Sequence, residues 1–176
     1  MDKEQLNRIG ELRWEQERRA RQLMLDQKLT KALPADLYSF ISFSDSDVFQ
    51  SAIDDWPDRK WEDGLYLQTE LDNPDPIDQV LAKFASLNSE TFCYVYFQNY
   101  DFGIVRIEKT ALYKHWLELI EIDGDQIFCY LSDRSGFICL EKTEDIMVGK
   151  ESLGRNWLYE ITYSNHTIKS EVTGSK

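Results

Sequence analysis

Little in this chain announces a chemistry. Its three cysteines, Cys93, Cys129 and Cys139, are an odd number without C-x-x-C spacing, so neither a disulfide framework nor a zinc site is expected. The two histidines, His115 and His166, stand far apart, whereas catalytic metal sites usually ask for three protein ligands, often several of them His. No metal and no cofactor is therefore expected. Patterns of the G-x-G-x-x-G, P-loop, G-x-S-x-G and H-E-x-x-H kind are missing, which removes the most readily recognised enzyme classes. A calcium loop is missing too, because Asp45-Ser46-Asp47 runs into Val48 and Phe49 where that loop needs Gly. No stretch approaches the ~20 apolar residues of a membrane span. Met1 to Gly10 also lacks the apolar segment of a signal peptide, so a cytoplasmic protein with no membrane partner is expected. Basic side chains are the minority, 20 Lys and Arg against 32 Asp and Glu, for a net charge of −12. That sign opposes phosphate neutralisation and excludes nucleic acid as a general partner.

What is present is a foldable core: 176 residues, 42% hydrophobic and 13% aromatic, enough for one domain without covalent staples. Charge divides the chain. Residues 1–33 sum to +2 and residues 34–176 to −14, which suggests an N-terminal helical arm over 1–33 and a single α+β domain over 34–176. The arm has no Pro and only Gly10, and its Leu, Arg, Gln and Glu content favours one helix from Lys3 to Ala32. Its apolar residues, Leu23, Met24, Leu25, Leu29, Ala32 and Leu33, crowd the second half, so only that half is expected to dock. A coiled-coil register would put Arg13, Gln16, Gln27 and Thr30 at the seam, too polar to hold.

The spacing of Leu37, Phe40 and Ile41 after Pro34 predicts a second helix ending near Phe43. Ser44 and Asp47 resemble a capping box for a third, with Val48, Phe49, Ala52, Ile53 and Trp56 as its stripe. A short strand is expected after Gly64. A fourth helix follows with Asp75 as its cap, Pro76 at the first position and Ile77, Val80, Leu81 and Phe84 inward. From Thr91 the pattern turns to strands: 91–98, 102–109, 116–122, 126–132, 136–142 and 156–164. A tight hairpin is read at Asp123-Gly124 and a four-residue one at Asp133 to Gly136. The fold class is thus α+β, N-terminal helices followed by a mostly antiparallel β-sheet meander. Because 126–132 and 136–142 are apolar at both parities, part of the sheet must be covered on both faces.

The cysteines lie inside these apolar strands, where an inert core thiol is expected rather than a nucleophile. Carboxylates are the abundant chemistry: between Ser44 and Asp78, 11 acids face only Arg59 and Lys60, a net of −9. A solvated acidic face and a docking face both fit that excess. The stretch Asp54-Asp55-Trp56-Pro57-Asp58-Arg59-Lys60-Trp61-Glu62-Asp63 tips the reading, since an aromatic ringed by acids has the makeup of a hot spot for a basic protein. Trp56 is assigned to the end of the third helix. Asp54, Asp55, Asp58, Trp61, Glu62 and Asp63 are the candidate partner-binding residues, and no catalytic residue is assigned.

A helix followed by Leu33-Pro34-Ala35-Asp36-Leu37-Tyr38-Ser39-Phe40-Ile41 resembles the opening of the SUKH-type immunity superfamily, small acidic bacterial proteins that neutralise toxins. The resemblance covers those nine residues, and Ser42 to Asp47 stands where the family's glycine-rich element usually follows. It implies a protein-binding inhibitor with no active site of its own, whose partner is a toxin domain such as a nuclease. Two alternatives remain: a metal-independent hydrolase or transferase using a carboxylate pair, and an adaptor docking through Arg13 to Arg21.

Overall fold

The computed structural model describes residues 3–51, 64–87, 89–100, 103–133, 136–145 and 156–164. Helix α1 (Lys3–Ala32) runs 30 residues, about 45 Å at the α-helical rise. After it come strand β1 (Tyr38–Phe40), helix α2 (Phe43–Ser51), strand β2 (Gly64–Glu70) and helix α3 (Asp75–Ser86). Strand β3 (Phe92–Tyr96) and a short 3₁₀ turn (Gln98–Tyr100) lead into β4 (Ile104–Glu108) and helix α4 (Lys109–Ile122). Strands β5 (Gln126–Leu131), β6 (Phe137–Asp145) and β7 (Asn156–Ser164) follow, the last elements among the described residues. The seven strands form one antiparallel sheet in the order β1-β4-β3-β5-β6-β7-β2. The α+β expectation holds. The meander is confined to β5, β6 and β7, because β1 and β2 are carried to opposite edges and α4 intervenes between β4 and β5.

The sheet is covered on both faces, as its doubly apolar strands require. On one face Cys93, Val95, Ile107, Ile127, Cys129 and Leu140 meet Leu25 and Leu29 of α1, Ile77, Leu81 and Phe84 of α3, and Leu112, Trp116 and Leu119 of α4. On the other, Phe49 of α2 closes over Ile104, Tyr130 and Phe137, with its ring 4.7 Å from that of Tyr94. Only the second half of α1 joins the core. Its apolar contacts begin at Leu25, since Leu23 is 63% and Met24 60% exposed, and both sit on the helix side turned away from Leu25 and Leu29. Val48 is likewise turned outward at 67% exposure, while its neighbour Phe49 is buried.

Several sequence expectations are corrected by pairings the local pattern does not contain. The helix expected from Pro34 to Phe43 is a turn followed by β1: Leu37 N–H donates to the Pro34 carbonyl, and Tyr38 to Phe40 pair with β4. An edge position on a sheet outweighs the helical spacing of three residues. The strand expected at 116–122 is the second half of α4, where Leu112, Trp116, Leu119 and Ile120 are buried at helical intervals. Asp123-Gly124 then ends a helix instead of joining two strands, with Gly124 at φ +69° and Asp125 N–H donating to the Ile120 carbonyl. Helix α2 is capped by Ser42, whose hydroxyl accepts from Asp45 N–H at 3.1 Å, and not by Ser44. Pro74, not Asp75, occupies the cap position of α3. Ile77, Val80, Leu81 and Phe84 do face inward.

Candidate functional site

The segment singled out for partner binding, Asp54, Asp55, Asp58, Trp61, Glu62 and Asp63, lies outside the described residues, as does Trp56. Its two anchors are described: Ser51 ends α2 and Gly64 begins β2. Helix α2 is held from both sides. Arg18 of α1, 6% exposed, grips Asp47 through two guanidinium nitrogens at 2.9 and 2.8 Å, with its cation 4.5 Å from the centre of the Phe43 ring. Ser46, buried, accepts the backbone N–H of Ile104. Gly103 passes so close that an added Cβ would collide with the Ser46 hydroxyl, and its φ of +144° is one that side-chain-bearing residues avoid.

These contacts divide the acids between Ser44 and Asp78 by task. Asp45 accepts from the Ser42 hydroxyl at 2.6 Å, Asp47 holds Arg18, and Asp78 accepts the indole N–H of Trp116 at 2.8 Å, tying α3 to α4. Asp47, read as part of a helix cap, is thus an ion-pair residue. Glu70, Asp72 and Asp75, around the turn from β2 to α3, meet no cation among the described residues. More negative charge comes from β6 and β7, which lie outside that acidic segment. Glu141 and Glu160 are directly opposite each other across these strands, an arrangement that costs stability unless other groups relieve it. Glu160 accepts from Tyr66 Oη at 2.6 Å and from Gln68 Nε2 at 3.0 Å, both on β2. The β2 edge therefore presents carboxylates backed by amide and phenol donors.

The remaining chemistry-bearing residues are placed by burial. All three thiols are buried. Loss of solvent pushes the Cys93 pKa up to about 12 and carries Cys129 well above the ordinary thiol value, the opposite of an activated nucleophile. His115 lies within α4, where the backbone leaves helical values at φ −127° and ψ 19°; His166 lies outside the described residues. Among the described residues no three His, Cys, Asp or Glu come together in a way that could hold a metal ion. No helix among them is long and apolar enough to cross a membrane. In the Arg13 to Arg21 stretch, Arg18 is consumed by Asp47, Arg19 pairs with Glu15 one turn earlier at 2.7 Å, and Arg21 sits 5.8 Å from the half-exposed Trp14 ring.

Sequence reasoning missed a cavity of about 440 Å³ on the face that carries α2, lined by Ser89, Glu90, Thr91, Phe92, Tyr94, Arg106 and Ser132. Arg106 reads in the sequence only as a polar residue between the apolar Val105 and Ile107 of a strand. Its neighbours arrive from β3 and from the end of β5, which no local signal brings together.

The chain matches no known protein family, and comparison with curated proteins finds no match.

Proposed function

We propose that this protein is a cytoplasmic protein-binding inhibitor, an immunity protein that neutralises a bacterial toxin domain, such as a nuclease, by covering its basic cleft with an acidic surface. The observation that carries the proposal is the concentration of uncompensated carboxylate. The segment from Ser44 to Asp78 sums to −9. Of its described members, Glu70, Asp72 and Asp75 meet no cation among the described residues. Such a field steers a cationic partner into encounter, while aromatic anchors set the lifetime of the complex. Asp54, Asp55, Asp58, Glu62 and Asp63 are assigned the steering role and Trp61 the anchoring one. The resemblance of Leu33 to Ile41 to the SUKH-type immunity superfamily supports the same reading.

The test begins with affinity capture to identify the partner, followed by stopped-flow association at two salt concentrations. Replacing Asp54, Asp55, Asp58, Glu62 and Asp63 by Lys should slow association by about ten-fold or more and flatten its salt dependence, whereas Trp61→Ala should mainly speed dissociation. An unchanged association rate for the charge reversal, with the fold intact by circular dichroism, would show that the acidic segment is a solvated surface.

A further inference from the structure

The cavity beneath Arg106 has features of a small-molecule site that the inhibitor reading does not use. Arg106 and Tyr94 are register partners on β4 and β3. The Arg106 guanidinium lies 3.9 Å from the centre of the Phe92 ring, so one of its flat faces is taken and its hydrogen-bonding edge is left to aim. No hydrogen bond or ion pair reaches that guanidinium from any described residue. Tyr94, held by the Phe49 ring at 4.7 Å, stands beside Phe92 as an aromatic wall, and Ser89 and Thr91 add hydroxyls at the rim.

We propose that this cavity binds a small carboxylate, which Arg106 takes edge-on through its planar fork while the Phe92 and Tyr94 rings flank the ligand's apolar part. The fork matches a planar carboxylate in two parallel hydrogen bonds. Glu90 in the same lining selects against a dianion, which favours a monoanionic carboxylate over a phosphate. The volume of about 440 Å³ lies within the range of small-molecule pockets. This site is independent of the inhibitor role, and neither proposal depends on the other.

Benzoate, acetate and inorganic phosphate, titrated into the full chain and followed by amide NMR shifts, test the assignment. Benzoate should bind saturably in the millimolar range or tighter, ahead of acetate and phosphate, with shifts centred on residues 89–94, 106 and 132. Arg106→Gln, at an exposed strand position, should weaken benzoate by about ten-fold or more with the thermal midpoint little changed, because it removes a charge-assisted, two-point contact. Arg106→Lys should not restore the affinity, since a point charge lacks the fork. The ranking of the three anions on the unmodified chain carries the test alone if the Arg106 variants fail to fold. Absence of saturable binding, equal affinity in folded Arg106→Gln, or a preference for phosphate over benzoate would each overturn the proposal.

Discussion

Asp123 offers the sharpest quantitative check on the structure. It follows the last residue of α4, is only 2% exposed, and receives the backbone N–H of Asn99 on Oδ1 at 2.9 Å. Oδ2 is buried without a partner among the described residues. Burial lifts its pKa from 3.8 to about 6, against the opposing pull of backbone N–H groups at Asn99 and Gln98 and of the Lys28 ammonium. Between those two pKa values the folded protein holds a proton that the unfolded chain has released, so stability falls as pH rises through this window and levels off above it. At about 1.4 kcal/mol per pH unit the full effect is roughly 3 kcal/mol. Because the isoelectric point is about 4.6, urea unfolding followed by tryptophan fluorescence is best run from pH 5 to pH 8, which captures about 1.4 kcal/mol of it. Asp123→Asn keeps an oxygen for Asn99 and removes the titration. The stability of this variant relative to the parent should rise by that amount between pH 5 and pH 8. A difference independent of pH would show that Asp123 is solvated or paired in solution, and that the turn after α4 is packed differently.

Other expectations follow from the same contacts. Cys93, Cys129 and Cys139 should react slowly with a thiol reagent in the native protein and fast in denaturant, because all three are buried and Cys93 and Cys129 are also held above the ordinary thiol pKa; fast native labelling of any one would revive a catalytic thiol. Gly103→Ala should lower stability by at least about 2 kcal/mol in urea titration, combining an unfavourable φ with a collision at Ser46. A loss below about 0.5 kcal/mol would mean that the Gly103 to Ser46 approach is looser than described. Deleting residues 1–12 should leave the unfolding midpoint unchanged, because the helix positions from 4 to 12 are exposed. Deleting residues 1–20 should cost about 1–3 kcal/mol through the loss of Arg18 from Asp47 and Phe43.

What was legible in the sequence, and what was not, follows the range of the interactions involved. Thirty residues without proline specify α1 by themselves, and two strands apolar at both parities demand a sheet covered twice, which Phe49 and Leu25 supply from opposite sides. The stretch from Leu37 to Ile41 carries a helical spacing as good as that of α3, yet becomes a strand because Glu108, far along the chain, donates its N–H to the Leu37 carbonyl. Residues 116–122 form too short a window to separate a period of two from one of 3.6; only the preceding Leu112, one turn before Trp116, marks the helix.

The candidate site obeys the same rule, and there it bears on function. Counting charge found the acidic segment, but not which acids are free to meet a partner. Asp47 is committed to an arginine 29 residues earlier and Asp78 to an indole 38 residues later, and Asp45 is turned back on its own helix cap. Conversely, Glu160 belongs to a strand that reads as core and joins the acidic edge only when β2 pairs with β7 and brings Tyr66 and Gln68 to it. Arg106 was hidden for the same reason, since the ring it lies against comes from another strand. A docking face inferred from composition alone therefore includes carboxylates that hold the fold and omits others that the fold creates. Charge reversal aimed at Asp45, Asp47 or Asp78 would confuse loss of structure with loss of steering, which is why the kinetic test of the inhibitor reading leaves those three in place.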